Sequence, residues 1–187
     1  EASVLLVEHL PSDLAGKGAD LGAGYGYLSA EVLSRSAKVM SLDLYEAEAR
    51  ALDLAKRNLA AFEAQATLDY RWHDVTSGVR EQYDFIVSNP PYVTEDEFAA
   101  MPAEYGHEPK LGLTAGDDGL DIALRILVEA ADHLTENGVL IVEVGESERA
   151  LVELLPALPF NWIEFNVGAM GVFVIDRGDL VAHAATL

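Results

Sequence analysis

Two short runs in this chain have residue types and spacing suited to chemistry: DLGAGYG at 20–26 and, 69 positions after Asp20, Asn89-Pro90-Pro91-Tyr92. In the first, Gly22, Gly24 and Gly26 permit positive φ and close backbone approach, and a helix start behind them favours a carboxylate. Such a turn lets a nucleotide-like cofactor lie against the backbone. The second run ends the apolar stretch YDFIVS, at what reads as the carboxyl end of a strand, the edge where open α/β sheets bind ligands. There the side-chain carbonyl of Asn89 and the backbone carbonyl of Pro90 can accept both N–H groups of a planar NH2. Tyr92 can stack flat on that group, and Pro90 and Pro91 are rigid and add no competing N–H. An amide or aryl-amine nitrogen held this way turns its delocalised lone pair outward in near-attack geometry, and the carbonyl dipoles stabilise the positive charge it gains. Turn and cup together read as methyl transfer from S-adenosylmethionine to nitrogen, leaving S-adenosylhomocysteine. No strong general base is required, because a proton can leave after transfer.

The elements that must position these runs follow from periodicity. Apolar strand-like runs alternate with helical-period segments, which predicts an α/β fold, a mostly parallel sheet with helices on both faces. Strands are expected at 18–21, 38–42, 66–73, 85–88 and 139–144, and a closing antiparallel hairpin at 162–167 and 171–176. Helices are expected at 28–36, at 118–135 and at 147–155. Another follows Asp43, with Ala47, Ala51, Leu54, Ala55, Leu59 and Phe62 on one face. The helix at 118–135 turns Leu120, Leu124, Leu127, Ala131 and Leu134 inward, with Asp117 or Asp118 as N-cap and Asn137-Gly138 as its stop. In 66–73 the period is two, which makes Tyr70 and Trp72 core residues of a strand with one polar face.

At the end of the second strand, 23 residues after Asp20, Asp43 with its neighbour Leu44 is suited to two ribose hydroxyls. Asp74 and Val75 follow the third strand. A nicotinamide cofactor is the rival reading, but its fingerprint needs Gly or Ala at the sixth position, where Tyr27 or Ser29 stands. His9, His107, His133 and His183 show no metal-ligand spacing, so no metal is expected.

A chain of 187 residues, half of them apolar, fits one domain over 1–187. No run approaches the roughly 20 apolar residues of a membrane-spanning helix, and no signal peptide is visible. The chain begins at Glu1 rather than Met, which reads as processing, trimming or an unbuilt upstream segment. The lack of cysteine excludes disulfides and thiolate catalysis and fits a reducing, cytoplasmic setting. The net charge of −20 is uneven: −6 over 1–92, −14 over 93–187, and −7 over 93–121 alone. Such a surface repels phosphate backbones and attracts basic partners; its plainer reading is high solubility. The scattered bases leave no nucleic-acid footprint.

The layout resembles class I S-adenosylmethionine-dependent methyltransferases, Rossmann-like domains with a seven-stranded sheet, over essentially the whole chain. The resemblance implies that Asp20 contacts the methionyl amine, that Gly22, Ala23, Gly24 and Gly26 cradle the cofactor, that Asn89 borders it, and that Asp74 and Val75 meet the adenine. The acceptor run alone leaves adenine and guanine amines and glutamine amide open. EYGHEPKLGLTAGDDGLDIALRIL (104–127) and VLIVEVGES (139–147) resemble protein-glutamine methyltransferases, in particular the branch acting on the third large-subunit ribosomal protein. That resemblance implies Glu108 and Pro109 beside the acceptor pocket with Tyr92, and a basic ribosomal protein as partner. HLPSDLAGKGADLGAGYGYLS (9–29) instead resembles small-subunit rRNA guanine methyltransferases, so the chain reads as a mosaic of two flavours. The helical recruiting domain that precedes the catalytic domain in the family is expected to be absent. Methylation of a nucleic-acid amine and cofactor binding with little turnover stand as the alternatives.

Overall fold

The strand that leads into the glycine turn has hydrogen-bonded neighbours on both sides. In the computed structural model, which describes residues 6–7, 10–11, 13–73, 81–90, 119–163 and 171–187, β1 (Gly16–Leu21) pairs in parallel with β2 (Val39–Glu46) and with β4 (Tyr83–Ser88). β3 (Thr67–Trp72) extends the parallel sheet beyond β2, and β5 (Leu134–Glu143) extends it beyond β4. β7 (Val172–Asp176) runs antiparallel to β5, and the short β6 (Asn161–Trp162) antiparallel to β7. The order is β3-β2-β1-β4-β5-β7-β6, a seven-stranded sheet with five parallel strands and an antiparallel end.

Helices cover both faces, as expected of strands apolar on both sides. On one face α1 (Tyr27–Arg35) and α2 (Ala49–Leu59) bury Leu28, Val32, Leu33, Leu52, Ala55 and Leu59 against Leu42, Leu44, Phe85, Val87 and Ile141. On the other, α3 (Asp121–His133), α4 (Glu148–Leu154) and α5 (Arg177–Ala182) bury Ala123, Leu127, Leu151 and Leu180 against Tyr83, Ile86, Leu140, Val142 and Phe173. Each fully buried Leu or Phe contributes roughly 1.5–3 kcal/mol. No helix of the described residues is long and apolar enough to cross a membrane.

Several boundaries differ from the periodicity, each for a local reason. β2 does not stop at residue 42 but continues to Glu46, because β1 and β3 flank it and supply partners as far as Leu21 and Trp72. Asn137-Gly138 is not a break before β5 but lies inside it: Tyr83 is opposite Leu134 and Phe85 opposite Val139, so 135–138 bulge out of the ladder. The buried stripe of α2 is Leu52, Ala55 and Leu59, and Leu54 is 49% exposed. Trp72, expected in the core, ends the edge strand and is 71% exposed, its indole N–H donating to the Ala47 carbonyl at 2.8 Å. α5 was not expected; Asp176 caps it by accepting from the Asp179 amide at 2.8 Å. The candidate caps Asp117 and Asp118 and the hairpin connection at 168–170 lie outside the described residues.

β1 and β4 approach so closely that a Cβ on Gly18 would lie 2.1 Å from the Phe85 ring. Phe85 is itself buried, with no room to yield. Gly18→Ala is therefore expected to destabilise the fold by about 1–3 kcal/mol, measured by denaturant titration; an unchanged midpoint would refute this packing.

Candidate active site

The turn after β1 is held by hydrogen bonds to the end of β2. The amides of Gly22 and Ala23 donate to the Tyr45 carbonyl at 2.9 and 3.0 Å, and the Gly24 amide donates to Oε2 of Glu46 at 2.8 Å. The other carboxylate oxygen of Glu46 accepts from the Glu48 amide at 2.7 Å. Gly22 and Gly24 have φ of 76° and 54°, and a Cβ at either would meet nothing within 4 Å. The turn is thus an open cradle whose conformation favours glycine. Gly26 then caps α1, whose first turns carry Ser29 back towards the sheet.

Asp20 lies below the cradle and is fully buried. Its Oδ2 accepts from the Ser29 hydroxyl at 2.6 Å, while its Oδ1 has no hydrogen-bond partner among the described residues. Desolvation, with a smaller contribution from the nearby charge of Glu46, pushes its carboxyl up to about 7 against the lowering effect of the Ser29 hydrogen bond.

β4 brings the acceptor run to the same edge. Ser88, fully buried, donates its hydroxyl to the Leu21 carbonyl at 2.7 Å, which joins the end of β4 to the start of the turn. Asn89 follows half-buried and Pro90 buried. Asp20 is opposite Leu44 on one side and Val87 on the other, and Val87 is opposite Ile141. Two positions further along, on the same face by strand alternation, come Glu46, Gly22, Asn89 and Glu143. The turn, the acceptor residue and two acids thus form one row at the carboxyl edge. Glu143 is 3% exposed, its Oε2 has no partner among the described residues, and burial pushes its carboxyl up to about 7.

Asp43 is placed differently from the expectation. It lies inside β2 rather than at its end, and it faces the opposite side of the sheet, in register with Ala19. Its Oδ2 pairs with the Arg71 guanidinium at 2.9 Å and Lys17 at 3.4 Å, and accepts from the Tyr83 hydroxyl at 2.8 Å. Tyr83 in turn contacts the Tyr45 hydroxyl at 2.7 Å, and Glu81 pairs with both Arg71 and Lys17. Asp43 is therefore held in a buried ion cluster, and the acid at the strand end is Glu46. Leu44 packs into the helix-covered core. Glu46 and Glu143 escaped the sequence reading; the signal that could have found them is an acid closing an apolar run, as in VMSLDLYE and VLIVE.

The remaining candidates, Asp74, Val75, Pro91, Tyr92, Glu108 and Pro109, lie outside the described residues. Among the described residues no group of three or more acids or histidines is arranged to hold a metal ion. A groove of about 620 Å3 lined by Leu14, Gly16, Asp84, Thr135 and Glu136 opens at the amino edge of the sheet, away from this row.

A glycine cradle and a polar strand end side by side on a β3-β2-β1-β4-β5-β7-β6 sheet define a Rossmann-like methyltransferase fold. The chain belongs to the methyltransferase small domain family, whose model it matches over residues 1–104. It is 51% identical over 137 residues to the ribosomal protein uL3 glutamine methyltransferase of Xanthomonas campestris, covering 73% of this chain and 44% of that protein. It is 50% identical over 144 residues to the protein of the same name from Xylella fastidiosa, covering 76% of this chain and 46% of that one. The chain thus spans under half the length of these curated relatives. Among solved structures, a T. thermophilus 16S rRNA methyltransferase in complex with AdoMet and guanosine superposes with TM-score 0.63 at 22% identity, over 94% of this chain and 42% of that one. A methyltransferase from Pyrococcus furiosus superposes with TM-score 0.60 at 19% identity, over 93% of this chain and 80% of that one.

The Asp20 carboxyl yields a pH signature. Its folded value, about 7, lies above its ordinary value of 3.8, so the native state holds the proton more tightly than the unfolded chain. Its contribution is most favourable below pH about 4, is lost as pH rises to about 7, and is constant beyond. Asp20→Asn is expected to flatten the stability profile over that window in the ligand-free protein, measured by thermal denaturation. A profile identical to wild type would show that Asp20 titrates normally.

Proposed function

We propose that this chain transfers a methyl group from S-adenosylmethionine to the side-chain amide nitrogen of a glutamine in a protein, the third large-subunit ribosomal protein being the substrate. The observation that carries the reaction type is the β1–β4 pairing, locked by Ser88, which sets Asn89 one strand from an open glycine turn. The choice of glutamine rests on the relatives that share about half their residues with this chain. A basic ribosomal protein suits a chain of net charge −20, and a cytoplasmic setting follows from that substrate.

The residues present fit the cofactor. The cradle at Gly22 and Gly24, with Ala23 between them, leaves room for a ligand against the backbone. Oδ1 of Asp20, without a partner among the described residues, suits an ammonium such as the methionyl amine, and Glu46 at the end of β2 is within reach of the turn where ribose hydroxyls would lie. Asp74 and Val75 are the proposed adenine contacts. When bound, S-adenosylmethionine supplies an electrophilic methyl on a sulfonium.

At the acceptor side, Asn89 and Pro90 accept the two N–H groups of the amide and fix its lone pair towards the methyl. Their carbonyl dipoles strengthen their hold as positive charge moves to nitrogen, a change that favours the transition state over the ground state. Pro91 and Tyr92 complete the cup, and Glu108 and Pro109 are the proposed lining of the glutamine pocket.

With methyl-labelled cofactor and unmethylated ribosomes, label is expected on a glutamine of one large-subunit protein; label in RNA would overturn the reading. Asn89→Ala is expected to lower transfer at least about a hundredfold while cofactor affinity, measured by calorimetry, stays the same. Glu46→Gln is expected to weaken cofactor binding by about 1–3 kcal/mol with the fold intact. Asp43→Asn is expected instead to cost about 1.5–3 kcal/mol of stability by removing the buried carboxylate that Arg71, Lys17 and Tyr83 share. If Asp43→Asn lowers cofactor affinity and leaves stability unchanged, Asp43 is the ribose acid after all.

A further inference from the structure

We infer that Glu143 is the catalytic proton acceptor for the methylated nitrogen. The inference rests on the reading of this site as one that methylates an amide. Glu143 closes β5, the strand beside β4, where Ser88 is opposite Val142. Asn89 follows β4 directly and Glu143 is the next residue on β5, so continuing the register sets the acid opposite the first residue of the acceptor run. Strand alternation puts it on the face of Val87 and Ile141, the face on which Asp20 lies beneath the glycine turn.

A carboxyl at this position calls for an explanation. It is 3% exposed, and its Oε2 has no hydrogen-bond partner among the described residues. A buried acid without pairing is costly to the fold. The cations carried on the described parallel strands, Lys17 and Arg71, are bound to Asp43 and Glu81, with Asp43 on the other face, and the amino-terminal charge lowers the Glu143 carboxyl by less than burial raises it. The other acids near this edge have their own tasks. Asp20 accepts from Ser29, Glu46 holds the Gly24 and Glu48 amides, and Glu148 at the head of α4 accepts from the Gly171 amide at 2.7 Å. Asp20 also has an oxygen to spare, but it lies two positions below the row; Glu143 is the acid with one in the row of Asn89.

The reaction can proceed without such a group, the proton leaving after transfer, but it is faster with one that takes the proton as positive charge builds on nitrogen. The nitrogen lone pair forms the N–CH3 bond as the S–CH3 bond breaks and sulfur keeps its electron pair. The nitrogen is left cationic and still bearing its protons. The carbonyls of Asn89 and Pro90 can accept hydrogen bonds from those protons but cannot hold one at neutral pH. The carboxylate of Glu143 can: one N–H proton passes to Oε2, the nitrogen pair returns to the amide, and the proton then leaves Glu143 for solvent. Burial pushes the carboxyl up to about 7, the range in which an acid both takes and returns a proton near neutrality.

The test is single-turnover transfer by the full chain, with labelled S-adenosylmethionine and unmethylated ribosomes, from pH about 5 to about 9. Wild-type rate is expected to rise with pH through about 7 and level off. Glu143→Gln, which keeps shape and removes the acceptor, is expected to slow transfer about a hundredfold or more and abolish the pH dependence. Glu143→Asp is expected to restore part of both. Cofactor affinity, which reports that the variants fold, should change less than about twofold, because the proposed contacts to cofactor lie elsewhere. A Gln variant with the wild-type rate and pH profile overturns the inference while the glutamine-methylation reading stands. So does one that loses cofactor affinity as steeply as rate, which would make Glu143 a ligand of the cofactor. Label delivered by wild type to RNA overturns the underlying reading and this inference with it.

Discussion

The parallel hydrogen bonding of β1 on both of its edges is the constraint from which the rest of this structure follows. β1 is short, and its ladder with β2 and β4 decides where each neighbouring strand ends relative to the glycine turn. Gly18 permits the close approach of Phe85 from β4, and Ser88 completes the junction through the Leu21 carbonyl. Two runs separated by more than sixty residues in sequence thereby become neighbours at one edge. No loop conformation is needed to bring Asn89 beside the turn; the backbone ladder does it.

Acids of the same chemical kind take different roles here according to which side of the sheet they face. Asp43 looks into a cluster with Arg71, Lys17 and Tyr83, where ion pairs and a hydrogen bond offset the cost of burial. Asp20 and Glu143 look to the other face, where each has a carboxylate oxygen without a partner among the described residues and desolvation dominates. The parity of a strand separates these fates: moving an acid by one residue carries it from an ion-paired to a desolvated setting. A structural carboxylate and a ligand-seeking one can thus sit a single position apart in register, as Asp43 and Asp20 do.

The fold was readable because its signals are local. Strand and helix alternation, the glycines after β1 and the prolines after β4 each act within a few residues, and they gave the order of the strands and the antiparallel end, though not the closing helix α5. What was not readable depended on partners. Where β2 stops is decided by β1 and β3, which supply hydrogen bonds as far as Glu46, so the expected break at Asp43 was misplaced. Trp72 alternates with polar neighbours as a core residue would, yet β3 is an edge strand and its last residue has no layer above it. Asn137-Gly138 has the composition of a helix stop, but α3 already ends at His133, and the pair bulges out of β5 instead. Of the site, Asp20, Gly22, Ala23, Gly24 and Asn89 stand together at one edge, whereas the importance of Glu46 and Glu143 appears only once the row across four strands is drawn.

The Ser88 hydroxyl bond to Leu21 makes the cofactor turn and the first residue of the acceptor run parts of one rigid body. Whatever follows Pro90 in the chain can therefore vary without altering the distance between the two. A domain built on this principle is modular: the spacing between the glycine turn and the end of β4 is inherited with the sheet, whatever segment is attached after it.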